Sequence, residues 1–138
     1  MKSSLSEQYL SSFVKNLGVE KATWFGGANI FLTPATKTPL IIKVSTEGRN
    51  WWGIANRVLN KLDAIGAVSD DFRSKGYNLL LLDSDKTGWV YSKREIYQKI
   101  ETGVWVLAKD NNYKINRNDI DIENRFYDLS EIQEKIIN

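Results

Sequence analysis

The chain has 138 residues, of which 42% are hydrophobic and 26% are charged, as is typical of one folded globular domain. It contains no cysteine and no histidine, which excludes disulfide scaffolds, cysteine or histidine metal sites and hydrolases that use a histidine base. The net charge of +2 neither indicates nor excludes a nucleic-acid partner. No apolar stretch could span a bilayer and no secretory signal is recognisable, so we expect a cytoplasmic protein without a membrane partner.

The first predicted element is an amphipathic helix from about Leu5 to Leu17. Ser4 and Glu7 have the spacing of a capping box, and Gly18 follows as a C-terminal stop. Both ends of this helix are therefore marked by the sequence.

Three strands are predicted next, with connections short enough for an antiparallel meander. The first covers residues 23–33, with an irregularity at Gly26-Gly27, and the second covers residues 40–46 (LIIKVST). The third covers residues 50–54 (NWWGI). Each segment is rich in β-branched or aromatic residues, which favour strands.

Helical and strand patterns alternate in the remainder of the chain. Together with the first half they predict one α+β domain over residues 1–138, with a central mixed or antiparallel sheet flanked by helices. The predicted elements are a helix at 55–65 ended by Gly66, a buried strand at 77–82, a strand at 89–91, a charged helix at 93–101, a hairpin of 104–107 and 113–115, and a helix that starts at Leu129 behind the cap Asp128.

Lys43 is the first candidate functional residue. Alternation along LIIKVST places Leu40, Ile42 and Val44 toward a core, and Lys43 on the other face. One interpretation is a lysine that extends from a sheet edge into water. The other is a functional lysine on an open sheet face, where it contacts a phosphate or an attacking water.

The element order resembles small members of the PD-(D/E)XK nuclease superfamily, the restriction-endonuclease-like proteins. This order is a helix, a strand hairpin, a strand with an internal Lys, NWWGI, a helix, an apolar strand and then WVYSKREI. The likeness runs from Trp24 to the C-terminal helix, and IIKVST followed by WWGI is its closest local match. It implies a restriction-endonuclease-like fold, DNA as partner, Mg²⁺-dependent phosphodiester cleavage and a place in prokaryotic or phage defence.

The catalytic site of that superfamily has an Asp on one strand and a Glu or Asp two residues before a Lys on the next. The carboxylates bind Mg²⁺ and the lysine orients the water. Lys43 takes the Lys position, but Ile41 and Asn29 stand where the acids are expected. For a cleaving enzyme, the resemblance then implies Glu47 and Glu20 as displaced catalytic residues and Mg²⁺ ligands beside Lys43. A solvated turn is the alternative role for Glu47.

Two further pairs of acids invite comparison with a metal site. Asp83 and Asp85 follow a buried strand, a position where binding sites occur. Asp70 and Asp71 lie in a predicted loop. A turn or cap is the commoner role for acids in such places.

Adjacent tryptophans mark a candidate nucleic-acid contact. Trp51 and Trp52 point to opposite faces of a strand, so only one of them can point into the core. The other one, with Arg49, Arg57 and Lys61 nearby, is suited to stack on a base beside cations that pair with phosphates. Packing beneath a helix is the alternative for that tryptophan.

We therefore expect a nucleic-acid-binding domain, with DNA as the first partner to test, that either cleaves with Mg²⁺ or only binds. The second hypothesis is a catalytically inactive protein-interaction module of the immunity or anti-defence type. In that case the exposed tryptophan anchors a protein partner.

Overall fold

The computed structural model describes residues 4–22, 29–34, 36–45, 49–68 and 76–136. In these ranges the protein is an α+β fold with four helices and nine strands in two sheets. The predicted irregularity at Gly26-Gly27, the candidate ligand Glu47 and the pair Asp70-Asp71 lie outside the described residues.

The helices and strands are numbered in chain order. The helices are α1 (Leu5–Leu17), α2 (Asn56–Val68), α3 (Lys93–Glu101) and α4 (Leu129–Lys135). The strands are β1 (Glu20–Lys21), β2 (Ile30–Leu32), β3 (Pro39–Val44), β4 (Trp51–Ala55), β5 (Asn78–Leu82), β6 (Gly88–Ser92), β7 (Val106–Leu107), β8 (Asn112–Asn116) and β9 (Arg125–Phe126).

The bounds of α1 are those predicted, because both caps form. The Ser4 hydroxyl accepts the Glu7 N–H at 3.2 Å. Gly18 adopts a left-handed conformation with φ 78°, and its N–H donates to the Val14 carbonyl. A residue without a side chain meets this positive φ at little cost.

Helix α3 is likewise confirmed, and a reciprocal capping box at Ser92 and Glu95 starts it. Helix α4 is confirmed from Leu129, with the Asp128 carboxylate accepting the first free N–H groups. The predicted end of α2 is wrong, because the helix continues through Gly66 to Val68. Glycine lowers helix stability by about 1 kcal/mol but does not by itself end a helix.

The six-stranded sheet is mixed, in agreement with the predicted fold class. Its order is β1-β2-β3-β5-β6-β9, with β3 and β5 parallel and the other neighbours antiparallel. Every residue of β5 is buried, as its continuous apolar run predicts.

The predicted three-strand meander is wrong in its third strand. Strand β4 pairs with β8 instead of β3, and β7 completes a separate three-stranded sheet. Parallel pairing of β3 with β5 requires a crossover, and β4 and α2 lie within it. The predicted late hairpin is confirmed as β7 and β8, and it supplies the partner that β4 needs.

The hydrophobic core has two parts, one on each face of the six-stranded sheet. Leu40 and Ile42 of β3 pack toward α1 and α4, whereas Ile41 packs toward α2, α3 and the small sheet. Both faces are therefore covered, and Lys43 does not lie on an open sheet face. Burial decreases from Ile42 to Lys43, where that cover ends.

A carboxylate on α2 connects it to the strand and helix beside it. Asp63 accepts hydrogen bonds from the Tyr77 and Tyr97 hydroxyls and pairs with the Lys93 ammonium at 3.2 Å. Burial, with the Asp63 contact as the next cause, raises the pKa of Tyr97 to about 12. This cluster connects α2 to α3 and to the residue that precedes β5. Within the described ranges, none of the helices combines the length and the apolar character needed to cross a bilayer.

Gly88 provides a test of the close pairing between β5 and β6. A Cβ at this position would lie 2.2 Å from the Leu81 carbonyl oxygen and 3.0 Å from the Phe126 ring. We expect Gly88→Ala to lower the free energy of unfolding by about 2 kcal/mol or more, as overpacked cores do. Urea denaturation followed by tryptophan fluorescence measures this loss.

Gly103→Ala is the matched control, because Gly103 has φ +76° and a Cβ added there would meet nothing within 4 Å. Backbone strain alone predicts a loss of about 1 kcal/mol there. Equal losses in the two variants would contradict the close approach at Gly88.

Candidate anion-binding cleft

A cleft of about 260 Å³ lies between the carboxyl end of β3 and the small sheet. We call it the basic cleft. Among the residues that the structure describes, the charged side chains that line it are Lys43, Arg49, Lys114 and Asp110, three cations and one acid. Trp51 and the backbone of Gly53 form part of its wall.

The end of β3 that carries Lys43 is firmly held. Lys43 lies opposite Leu81 in the parallel pairing with β5. One strand position later the Leu82 carbonyl accepts both the Ser45 N–H at 2.9 Å and the Trp52 indole N–H at 3.1 Å. The second bond connects the two sheets, so it fixes the position of the cleft wall relative to Lys43.

Lys43 carries a half-buried charge, and no acid among the described residues pairs with it. Burial lowers its pKa from the usual 10.5, and the nearby Arg57 guanidinium lowers it further. Among the described residues, the ion pairs connect other lysines and arginines to acids, and none includes Lys43. An anion in the cleft would supply a counter-charge that the described acids do not, since a buried charge is costly unless it is paired.

Trp51 lies at the rim of the cleft and is 37% exposed. Its ring extends along its own strand over Gly53, where an added Cβ would lie 3.2 Å from the ring. The Lys114 ammonium lies 4.0 Å from the ring centroid, and the Arg49 guanidinium lies 5.0 Å from it. These are cation–π distances, so the ring holds two of the cleft's cations in place.

Asp110 is the acid in the cleft wall. Its carboxylate pairs with the Lys114 ammonium at 3.2 Å and accepts the Asn112 N–H in the β7–β8 turn. The hydrogen bond from Lys114, followed by the one from Asn112, lowers the pKa of Asp110. An exposed pair of this kind is weak, so Lys114 remains available to another anion.

The structure divides the five predicted nucleic-acid contacts. Arg49 and Trp51 line the cleft. Arg57 and Lys61 are exposed, one turn apart on α2, and Arg57 is close enough to Lys43 to affect its pKa. They therefore extend the positive charge beyond the cleft.

Trp52 is the exception, which corrects the expectation for this residue. It is 2% exposed, packs edge-on against Trp89 at 5.5 Å, and donates its indole N–H to a backbone carbonyl. Trp52 borders the cleft, but its ring is buried and offers no face for a base.

The structure does not bring Glu20 to Lys43. Glu20 lies opposite Leu32, and Leu32 lies opposite Pro39 at the start of β3. Lys43 is four residues further along β3, about 13 Å at the usual strand rise, and two strands away, roughly another 10 Å. A metal ligand must lie within a few ångströms of the ion, so Glu20 cannot share a site with Lys43.

The described residues do not fit a Mg²⁺ site beside Lys43. They contain no group of three acidic side chains close enough to hold a metal. Asp83, after β5, pairs with Arg125 at 3.0 Å and Arg117 at 3.7 Å. Asp85 accepts a hydrogen bond from the Ser12 hydroxyl at 3.3 Å. Asp83 and Asp85 are therefore engaged with structural partners.

Lys114 and Asp110 are cleft residues that the sequence did not indicate. Alternation in NYKIN places Lys114 on the opposite face of the strand from Tyr113 and Ile115. This is the one local signal that the lysine points away from the core. That β8 lies beside β4 is a long-range fact, so the meeting of Lys114 with Trp51 had no sequence signal.

Comparisons of the chain with models of known protein families, with curated proteins and with solved structures gave no match. The function proposed below therefore rests on the geometry and charge of the cleft.

The burial of the Lys43 charge has a measurable effect on stability. Because the folded-state pKa is lower than the unfolded value near 10.5, the unfolded state binds more protons between these two pH values. The contribution of Lys43 to the free energy of unfolding is therefore lowest below its folded-state pKa. It rises as the pH increases from that value to the unfolded-state pKa. We expect Lys43→Met to be more stable than the wild type near pH 7, and to lack this alkaline rise.

Urea denaturation from about pH 7 to pH 10.5 measures both effects. Lys15→Met is the control for the loss of a surface charge, because Lys15 is exposed on α1 on the other side of the large sheet, and its stability near pH 7 should stay close to that of the wild type. A Lys43→Met variant that is less stable than wild type near pH 7 would mean that the charge is compensated in the folded protein.

Proposed function

We propose that this protein binds nucleic acid through the basic cleft, with phosphate groups as the ligands of Lys43, Arg49 and Lys114. The observation that carries the proposal is Lys43, a half-buried cation in a cleft with no ion-pair partner among the described acids. Two further cations converge on the same cleft, which makes an anion the complementary ligand.

Phosphate suits this set of donors better than an isolated carboxylate. The planar guanidinium of Arg49 can donate two parallel hydrogen bonds to one phosphate, and the two lysines act as point charges beside it. Arg57 and Lys61 continue the positive charge along α2. Repeated cations outside a single cleft match a ligand with repeated phosphates, which favours a polynucleotide over a free anion.

DNA is the first nucleic acid to test. The order α1, β1 to β3, β4, α2 and β5 is the order on which the resemblance to restriction-endonuclease-like proteins rests, and Lys43 stands on the strand where that resemblance expects a lysine. This order supports the choice of DNA but carries no argument for cleavage, since fold alone does not establish an activity.

Salt dependence of DNA binding tests the proposal. We expect the affinity for a fluorescein-labelled oligonucleotide, measured by anisotropy, to fall steeply with added salt as bound counterions are released. Lys43→Met, Arg49→Gln and Lys114→Gln should each weaken binding by about tenfold near 50 mM salt and reduce the slope of log K against log salt by about one.

Lys15→Gln removes an exposed charge from the far side of the sheet and should bind as wild type. The same samples with Mg²⁺ and with EDTA, read on a denaturing gel, report cleavage separately. If Lys15→Gln loses as much affinity as the cleft variants, DNA binds through the overall charge of the protein and not at the cleft.

Removal of the acid in the cleft has the opposite expected effect. Asp110→Asn keeps an acceptor for the Asn112 N–H but releases Lys114 from its ion pair. We expect about threefold tighter DNA binding, because an exposed pair is cheap to break and the cleft gains one unit of positive charge. Weaker binding would show that Asp110 orients Lys114 rather than competing with the phosphate.

One observation favours the second candidate function, a protein-interaction module. Val106 and Leu107 of β7, an edge strand of the small sheet, are 60% and 43% exposed, and Val106 lies opposite Lys114. Apolar side chains on an unpaired strand edge are suited to a protein contact. Such a contact would change little with salt, so DNA binding that is absent at low salt would favour this function.

A further inference from the structure

We infer that the basic cleft takes single-stranded nucleic acid, with one base stacked on Trp51 in place of the cations that now contact its ring. This inference rests on the proposed function and names its substrate class. It depends on three properties of the rim, which are the exposure of the ring, the identity of its present contacts and the glycine beneath it.

The present contacts of the Trp51 ring are exchangeable. Lys114 and Arg49 reach it with the charged ends of long side chains, and both also line the cleft. When a phosphate enters, these charges gain more from it than from the ring, since a charge-assisted hydrogen bond is stronger than an exposed cation–π contact. The movement that binds the phosphate therefore uncovers the ring for a base.

Gly53 is the positioning residue for this stacking platform. Because it has no Cβ, the Trp51 ring can lie close to the strand, and an added Cβ would be only 3.2 Å from the ring. Lys114 is the cross-strand neighbour of Gly53, so the ring and the nearest cation are placed side by side. A bulkier residue at 53 would lift the ring and separate the two.

A single strand fits this platform and a duplex does not. In a duplex both faces of each base are stacked on neighbours, so a base must leave the helix before it can contact Trp51, at a cost of a few kcal/mol. A cleft of about 260 Å³ is also smaller than most pockets for drug-sized ligands, which suits one nucleotide. Stacking requires only a base face, so little sequence preference is expected.

Three DNA probes of equal length separate bases from phosphates: single-stranded oligo(dT), the same strand with abasic sites, and a duplex. Anisotropy at one low salt concentration should show the wild type binding oligo(dT) about tenfold or more tighter than the abasic strand, as expected for base–aromatic stacking. Oligo(dT) should also bind more tightly than the duplex. An oligo(rU) arm shows whether RNA binds equally.

Trp51→Ala should weaken oligo(dT) binding toward the level of the abasic strand and affect abasic binding far less, because the contacts of the ring with Lys114 and Arg49 are weak. Trp51→Phe should retain part of the preference, because a smaller ring still stacks. Gly53→Val should lose the preference while its circular dichroism spectrum and melting temperature confirm folding. The melting temperature of Trp51→Ala likewise confirms that this variant is folded.

Each outcome decides the inference. If Trp51→Ala weakens oligo(dT) and abasic strands equally, or if the duplex binds as tightly as oligo(dT), single-strand stacking is wrong while salt-dependent cleft binding stands. If no probe binds with a salt-dependent affinity, the proposed function fails and the inference fails with it.

Discussion

The parallel pairing of β3 with β5 is the constraint on which the rest of the structure depends. Sequential strands that run parallel need a long connection, and here the chain leaves β3 at Val44 and returns at Asn78. The connection carries β4 away from the large sheet, and β8 becomes its partner. The Trp52 indole then joins the two sheets through the Leu82 carbonyl. The basic cleft is the space between the end of β3 and the strand that the crossover displaces.

The charged residues at the ends of the parallel strands β3 and β5 differ in their ion pairing. After β5, Asp83 is paired with Arg117 and Arg125, and the latter lies 4.1 Å from the Trp89 ring centroid. At the end of β3, Lys43 has no such partner among the described acids and its pKa is lowered. Stability alone would favour a pair at both ends, because a partly buried charge costs free energy. An unpaired charge retained in a cleft is typical of a binding site.

Local patterns predicted the elements well, and long-range pairing limited the rest. The caps of α1 and of α4 are signals within four residues, so the starts of both helices could be predicted. Alternation correctly separated Lys43 from Leu40 and Ile42, because it needs only one strand. Alternation could not show which of Trp51 and Trp52 is buried, since it predicts only that the two side chains point to opposite faces of the strand. Lys114 was missed because β4 and β8 are far apart in the sequence and no local signal reports their contact.

In the binding mode that we propose, these features combine at Lys114. The Lys114 ammonium pairs with Asp110, contacts the Trp51 ring and lines the cleft. Both contacts are weak, so the ammonium is positioned in the cleft and can still move to another anion. An exposed cation–π contact contributes about 0.5–1 kcal/mol, whereas a base on an aromatic ring contributes about 1–3 kcal/mol. In the proposed complex a base on Trp51 would therefore offset the loss of the two cation–π contacts, from Lys114 and Arg49, and the released cations would gain from the phosphate. Charge and stacking would then reinforce each other in the proposed complex, because the movement that brings the cations to a phosphate also frees the ring.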